Sequence, residues 1–103
     1  MTFKEYQKYA ESTAVYPKDE GIKYTALGLC GESGEVAEKV KKFIRDGKFD
    51  AEEIKKELGD VLWYVAMSAK ELGSDIEEIA SINVNKLLKR KLENKIKGEG
   101  DNR

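Results

Sequence analysis

Apolar side chains recur along the chain at intervals of three, four and seven residues, which is the pattern of amphipathic α-helices. Four such segments follow one another, over about residues 2–14, 22–45, 50–72 and 74–96. Pro17 separates the first two segments, and Gly73 separates the last two. Because the connections are short, neighbouring helices should run antiparallel. The pattern predicts an all-α, four-helix bundle-like protomer that forms one domain over residues 1–103, with an irregular tail over residues 97–103.

Capping signals mark the starts of the third and fourth helices. Asp50 stands three residues before Glu53, and Ser74 stands three residues before Glu77. In such a pair the first side chain accepts a hydrogen bond from a backbone N–H of the first turn, and the acid can reach back to the cap. We therefore expect the third helix to begin after Asp50 and the fourth to begin after Ser74.

The second helix combines an apolar stripe with an unusual set of glycines. The stripe consists of Leu29, Val36, Val40 and Phe43. The glycines stand at steps of three, and they are Gly28, Gly31 and Gly34. Glycine inside a helix costs up to about 1 kcal/mol relative to alanine. The set therefore indicates either the close approach of another backbone or a ligand, or a locally irregular helix.

The third helix is apolar on two faces, so we expect it to be buried on two sides. A chain of 103 residues buries only about 60–70% of its unfolded surface, which makes a lone core marginal. Both observations favour assembly into a dimer or tetramer.

Composition excludes several classes of site. The chain has 19 basic and 20 acidic residues, one cysteine and no histidine. Ser-His-Asp and Cys-His catalysis, His-containing di-iron sites, Cys/His zinc sites and an intrachain disulfide are therefore impossible. A net charge of −1 argues against a general nucleic-acid binder. The chain has neither a long apolar run nor a signal-peptide pattern, so we expect a soluble cytoplasmic protein without a membrane partner.

Two pairs of acids are placed to meet between the second and third helices. Glu32 and Glu35 stand three apart on one helix, and Glu57 and Asp60 stand three apart on the next. Residues three apart on a helix can reach one point. Four converging carboxylates repel one another unless protons or cations compensate them, and magnesium or manganese is the natural counterion.

Spacing alone leaves this interpretation open. Charged residues make up 38% of the chain, so acids three residues apart also occur by chance. Placement favours a metal site, because Glu32 and Glu57 border apolar stripes and Asp60 lies between the core and a partner, where an unpaired charge is costly. Most other charged residues, Glu71 included, are interpreted as a solvated face.

A basic face follows on the fourth helix, where Asn83, Lys86 and Arg90 recur at steps of three and four. These residues are either a solubilising helix end, favoured by the helix dipole, or a clamp for phosphate groups. Five aromatic residues could stack on a base or belong to the core or an interface: Tyr6, Tyr16, Tyr24, Trp63 and Tyr64.

Several of these motifs occur together in one known family. Residues 28–39 have the sequence GLCGESGEVAEK, and residues 56–64 have the sequence KELGDVLWY. Together they resemble the MazG-like all-α nucleoside triphosphate pyrophosphohydrolases, which are marked by Glu-x-x-Glu, a spacer and Glu-x-x-Asp. Residues 83–87, with Arg90, are similar to the Asn-x-x-Lys-Leu…Arg element of that family. Residues 96–103 resemble the tail of a stand-alone phage and prokaryote branch.

The resemblance implies a function for each motif. It implies that the catalytic magnesium ligands are Glu32, Glu35, Glu57 and Asp60. It implies that Glu38 orients water or pairs with a lysine, and that the phosphates are bound by Asn83, Lys86 and Arg90. The implied reaction converts a nucleoside triphosphate, deoxy or not, to the monophosphate and pyrophosphate, by attack of metal-activated water at the α-phosphate, with Mn²⁺ a possible substitute for Mg²⁺. The implied assembly is a homodimer or homotetramer.

Two other functions stay open at this point. The chain can be a non-catalytic helical interaction or regulatory module whose acidic cluster serves packing or ion binding. It can also act on a different phosphoanhydride, such as the pyrophosphate part of a cofactor.

Overall fold

The computed structural model describes residues 1–93, and the regular secondary structure of that range is α-helical. The helices are α1 (Phe3–Ser12), α2 (Gly21–Asp46), α3 (Ala51–Glu71) and α4 (Ile76–Leu92). The predicted all-α class with four helices is confirmed. The predicted tail, residues 97–103, lies outside the described residues. Within residues 1–93, no helix has the length and apolar character that a bilayer crossing requires.

Acidic side chains cap the third and fourth helices. Asp50 caps α3 as predicted, and its carboxylate accepts a hydrogen bond from the Glu53 N–H at 3.1 Å. α4 starts one residue later than predicted, because Asp75 accepts from the Glu78 N–H at 2.8 Å. Two overlapping pairs in the sequence satisfy the same capping pattern. The structure uses the pair with a charged cap, which is the stronger acceptor and favours the positive end of the helix dipole.

α3 is the central element of the described chain. α2 packs along one side of α3, while α1 and α4 pack against α3 and against each other. Within residues 1–93, α2 has no packing contact with α1 or α4. The two-sided burial expected of the third helix is therefore present. The four helices do not enclose one common core, because α2 packs against α3 alone within residues 1–93.

A small core lies where α1, α3 and α4 meet. Its buried apolar members are Ala10, Ala66, Met67 and Ile76. A buried polar side chain, Gln7, crosses the same junction. Its amide nitrogen donates to the Ala66 carbonyl at 3.0 Å, and its amide oxygen accepts from the Ile76 N–H at 2.9 Å. Both ends of this side chain are thus satisfied, as burial of a polar group requires.

α2 and α3 pack as an antiparallel pair with a constant register. A β-carbon on Gly21 would lie 2.6 Å from the Glu71 Oε1, and a β-carbon on Gly28 would overlap the ring of Tyr64. In both pairs the two residue numbers have the same sum. For two antiparallel helices, this means that the same register of facing residues holds at both levels. A small residue on α2 opposes a large residue on α3 at each of these two levels.

The same offset holds between these two pairs and continues from them towards the α2–α3 connection. It pairs Thr25 with Met67, and these are the largest fully buried side chains among the described residues. Successive levels alternate four and three residues apart, which is the spacing of a coiled-coil seam. Towards the α2–α3 connection, the offset places Glu32 opposite Asp60. One step of three further on, it places Glu35 opposite Glu57.

The apolar stripe predicted on the second helix is only partly covered, because Leu29 and Val36 are half-buried and its other two residues are exposed. Val40 and Phe43 stay 41% and 38% exposed, and the neighbouring Ile44 stays 77% exposed. The buried residues of α2 are Gly21 and Thr25 instead. Hydropathy patterns mark contacts made by large apolar side chains, so they do not reveal a seam in which α2 contributes glycine and threonine.

Candidate metal centre

The α2–α3 register brings three of the four predicted acids together. One carboxylate oxygen from each of Glu32, Glu57 and Asp60 lies within 4.8 Å of the others. Glu32 and Glu57 are half-buried, whereas Asp60 is exposed. The sequence pattern predicts that Asp60 lies between the core and a partner, and in the protomer its outer side is open. Three oxygens at this separation can coordinate one hard divalent cation.

Burial and like charge act on the same carboxyl group. Burial raises the pKa of Glu32, and the negative charges of Asp60, Glu57 and Glu35 raise it further. Each of these causes disfavours the ionised form of Glu32. A bound cation would remove the repulsion and would therefore stabilise the ionised form of the cluster.

The three converging acids have no basic partner among the described residues. Among residues 1–93, Glu32, Glu57 and Asp60 take part in no ion pair. Other acids along the same two helices pair with a lysine three residues on, for example Glu52 with Lys55 at 2.9 Å. The charge of the converging group is therefore not neutralised by a lysine or arginine within residues 1–93.

Glu35 and Glu38 stand apart from the group of three. Glu35 is exposed and acts on Glu32 through its charge. Glu38 forms an ion pair with Lys41 at 2.9 Å. A hydrogen bond and the charge of Lys41 lower the pKa of Glu38, with smaller contributions from Lys42 and Arg45. Of the two roles suggested for Glu38, pairing with a lysine is the one observed.

The predicted phosphate ligands lie on α4, which packs against α1 and α3. Asn83, Lys86 and Arg90 continue the heptad-like face that begins with Ile76, a buried residue. Arg90 is only 7% exposed, Lys86 is half-buried and Asn83 is exposed. Arg90 is therefore covered by the protein and Lys86 partly so, whereas Asn83 is open to solvent, and the phosphate role of all three stays a prediction.

Four of the five candidate aromatic residues form a cluster beside the acids. Tyr16 stacks on Tyr24 with ring centroids 5.1 Å apart, and Trp63 meets Tyr64 edge to face at 5.0 Å. Tyr24 and Tyr64 join the two pairs at 6.4 Å. A continuous aromatic surface thus runs from the α1–α2 connection to α3.

Tyr64 links this cluster to the carboxylates. Burial raises the pKa of its phenol, and so do a hydrogen bond with Tyr24, the charge of Tyr24 and the charges of Glu32 and Asp60. Burial and the charge of Asp60 also raise the pKa of Tyr6. Both phenols therefore stay protonated at neutral pH and remain available as hydrogen-bond donors near the acidic group.

Glu71 is a residue for which the prediction from sequence is wrong. The charge pattern assigns it to a solvated face, yet it is half-buried and its Oε2 accepts a hydrogen bond from the Tyr16 hydroxyl at 2.5 Å. Its other oxygen lies against Gly21. Glu71, Tyr64 and Asp60 fall seven and four residues apart on one face of α3. That spacing is the signal by which the sequence could have revealed it.

The chain is similar in sequence to known proteins over most of its length. The model of the family described as "MazG nucleotide pyrophosphohydrolase domain" matches residues 20–93. The Gene 37 protein of Mycobacterium phage L5 is 42% identical over 109 residues, which cover 95% of this chain and 96% of that protein. No solved structure matches the chain significantly.

Proposed function

Because the chain belongs to the MazG nucleotide pyrophosphohydrolase family, we propose that it is a magnesium-dependent hydrolase of nucleoside triphosphates. The products are the nucleoside monophosphate and pyrophosphate. One observation carries the proposal: Glu32, Glu57 and Asp60 converge within 4.8 Å from two antiparallel helices. No ion pair within residues 1–93 neutralises them.

The donor set fits the proposed metal. Oxygen ligands from carboxylates suit Mg²⁺ and Mn²⁺, and a chain without histidine and with one cysteine offers no softer ligand set. Mg²⁺ keeps several water ligands when one or a few carboxylates hold it, which suits the exposed side of Asp60. When bound, the metal supplies charge neutralisation for phosphate oxygens and lowers the pKa of a bound water.

The protein's own residues have separate tasks in this proposal. Glu32, Glu57 and Asp60 hold the metal, and the nearby Glu35 carboxylate accepts a proton from the attacking water. The proposed contacts to the phosphates come from Asn83, Lys86 and Arg90. The aromatic cluster is adjacent to the acids, so it is available to the nucleoside part of the substrate.

Carboxylate-to-amide substitutions test the proposal directly. Glu57→Gln and Asp60→Asn keep side-chain size but remove a charged ligand, so we expect metal-dependent pyrophosphate release to fall by about 100-fold or more. Product analysis by mass spectrometry over a panel of NTPs and dNTPs measures this loss. Helical circular dichroism should stay unchanged, because both residues lie outside the packed core.

Glu52→Gln is the matched control, since Glu52 lies on the same helix and pairs with Lys55 at the surface. It should retain wild-type turnover. A wild-type chain that releases no pyrophosphate with Mg²⁺ or Mn²⁺ from any member of the panel would refute the enzyme. If that chain were still stabilised by the metal, the non-catalytic module would be the better description.

We also propose that the functional unit is a homodimer or homotetramer. Within residues 1–93, large apolar side chains of α2 stay open to solvent: Leu27 is 75% exposed and Ile44 is 77% exposed. Burial of such side chains against a second copy is favourable. α2, which packs only against α3 within the described range, contributes much of the exposed apolar surface.

A further inference from the structure

The α2–α3 hairpin has a closed end and an open end, and the acids lie between them. The closed end is the connection of four residues, 47–50, between Asp46 and Ala51. At the open end the first residue of α2, Gly21, meets the last residue of α3, Glu71. The pair of Glu32 and Asp60 is eleven residues from this end along each helix.

Glu71 makes one hydrogen bond and one close approach at the open end. One carboxylate oxygen accepts the hydroxyl hydrogen of Tyr16 at 2.5 Å, and the other lies 2.6 Å from where a Gly21 β-carbon would stand. The cap residue of α2, Glu20, makes no side-chain capping hydrogen bond. The negative charge of Glu71 therefore stands at the positive end of the α2 dipole, which favours this position of the carboxylate.

Between the open end and the acids, α2 and α3 are held by packing at two levels, Thr25 with Met67 and Gly28 with Tyr64. Within residues 1–93, α2 packs against α3 alone. At the level of Glu32 and Asp60 the charges repel one another, which raises the free energy of any arrangement that holds the two helices close. A contact that ties the helices together beyond this level opposes their separation.

We propose that Glu71 is a positioning residue for the metal centre: by tying the start of α2 and Tyr16 to the end of α3, it holds Glu32 at coordination distance from Glu57 and Asp60. This inference rests on the proposed metal-dependent function. In this proposal the Glu71 carboxylate increases the affinity of the site for metal although it does not coordinate the metal. Burial, followed by the hydrogen bond to Glu71, raises the pKa of Tyr16 to about 12, so the hydroxyl keeps its proton under working conditions.

Glu71→Ala and Glu71→Gln test the proposal through metal affinity. We expect Glu71→Ala to weaken Mn²⁺ binding about five- to tenfold, because the supporting partners of ligands carry effects of about this size or larger. Glu71→Gln keeps an oxygen that can accept from Tyr16, so it should restore part of the affinity. Electron paramagnetic resonance titration with Mn²⁺ measures binding without requiring turnover. In an active enzyme, the Mg²⁺ concentration for half-maximal rate should rise by the same factor, and kcat at saturating Mg²⁺ should recover.

Tyr16→Phe removes the hydrogen-bond donor alone and should weaken Mn²⁺ binding in the same direction by a smaller factor. Its matched control is Tyr9→Phe, because Tyr9 is an exposed tyrosine on α1. A purely structural role for Glu71 would lower the melting temperature and leave the Mn²⁺ affinity of the folded protein unchanged. That result would overturn the proposal.

The outcomes also separate this proposal from the proposed function. A wild-type chain that binds Mn²⁺ but releases no pyrophosphate would refute the hydrolase, and the affinity comparison would still decide the role of Glu71. A wild-type chain that binds no Mn²⁺ would refute both.

Discussion

At the scale of single residues, the glycines of α2 have different surroundings. The ring of Tyr64 occupies the space beside Gly28, whereas a β-carbon on Gly31 or Gly34 would have nothing within 4 Å. The close approach that the glycine spacing suggests is therefore observed at Gly28 alone of the three, and the group that approaches is the ring of Tyr64. The other two glycines cost helix stability without a packing contact inside the protomer.

Alanine substitutions should separate the two kinds of glycine. Gly28→Ala forces the Tyr64 ring out of its place and should lower the free energy of unfolding by about 1–3 kcal/mol, as overpacking does. Gly31→Ala adds a methyl group in open space and should raise it by about 0.5–1 kcal/mol. Urea unfolding of both variants measures the difference. Equal stability of the two variants would contradict the Gly28–Tyr64 contact.

At the scale of elements, one side chain joins three helices. Gln7 of α1 bonds the carbonyl of Ala66 on α3 and the N–H of Ile76, the first residue of α4. The N–H groups of a first helical turn have no partner within their own helix. The Gln7 side chain supplies a hydrogen-bond acceptor from α1, so the start of α4 is fixed to α1 and α3 together.

Replacement of Gln7 should loosen α4 more than the rest of the molecule. Gln7→Leu leaves the buried Ile76 N–H without its partner, at a cost of about 1–3 kcal/mol. We expect lower stability in urea and faster hydrogen exchange at the amides of the first turn of α4. Lys8→Leu is the control, because Lys8 is the exposed neighbour on α1. Unchanged exchange in α4 would show that Gln7 does not anchor this helix.

At the scale of the whole molecule, the exposed apolar side chains of α2 and its connection to α3 form a candidate contact with a second copy. Val40, Phe43, Ile44 and Phe49 all remain substantially exposed, and the rings of Phe43 and Phe49 lie 5.2 Å apart. Apolar groups gathered at one end of a hairpin gain stability when a partner removes them from water.

A charge introduced into this surface should produce monomers. Phe43→Glu places a carboxylate where the proposed interface is apolar, so we expect the oligomer mass to fall to that of one chain in size-exclusion chromatography with light scattering. Val15→Glu is the control, since Val15 is 94% exposed in the α1–α2 connection, away from this surface. A wild-type chain that runs as a monomer at high concentration would contradict the oligomer.

The limits of prediction from sequence follow from the same features. The four helices and the convergence of Glu32, Glu57 and Asp60 could be predicted, because spacing along a helix fixes which side chains share a face. The α2–α3 seam could not, because glycine and threonine carry no hydropathy signal. The spacing of Asp60, Tyr64 and Glu71 could have placed Glu71 on the seam face of α3. Its contacts with Tyr16 and Gly21 could not be predicted, because these residues are distant in sequence.

The constant offset between α2 and α3 also limits how the length of this chain can change. Inserting one residue between Gly28 and Glu32 would rotate one part of α2 against the other by about 100°. Either the acid or the glycine would then leave the seam. Insertions in the connection over residues 47–50 leave the facing pairs intact, and each doubling of a loop costs only about 0.6 kcal/mol. Length variation among homologues is therefore expected to concentrate in the spacer between the two acidic motifs, at this connection, and to spare the helical segments on either side.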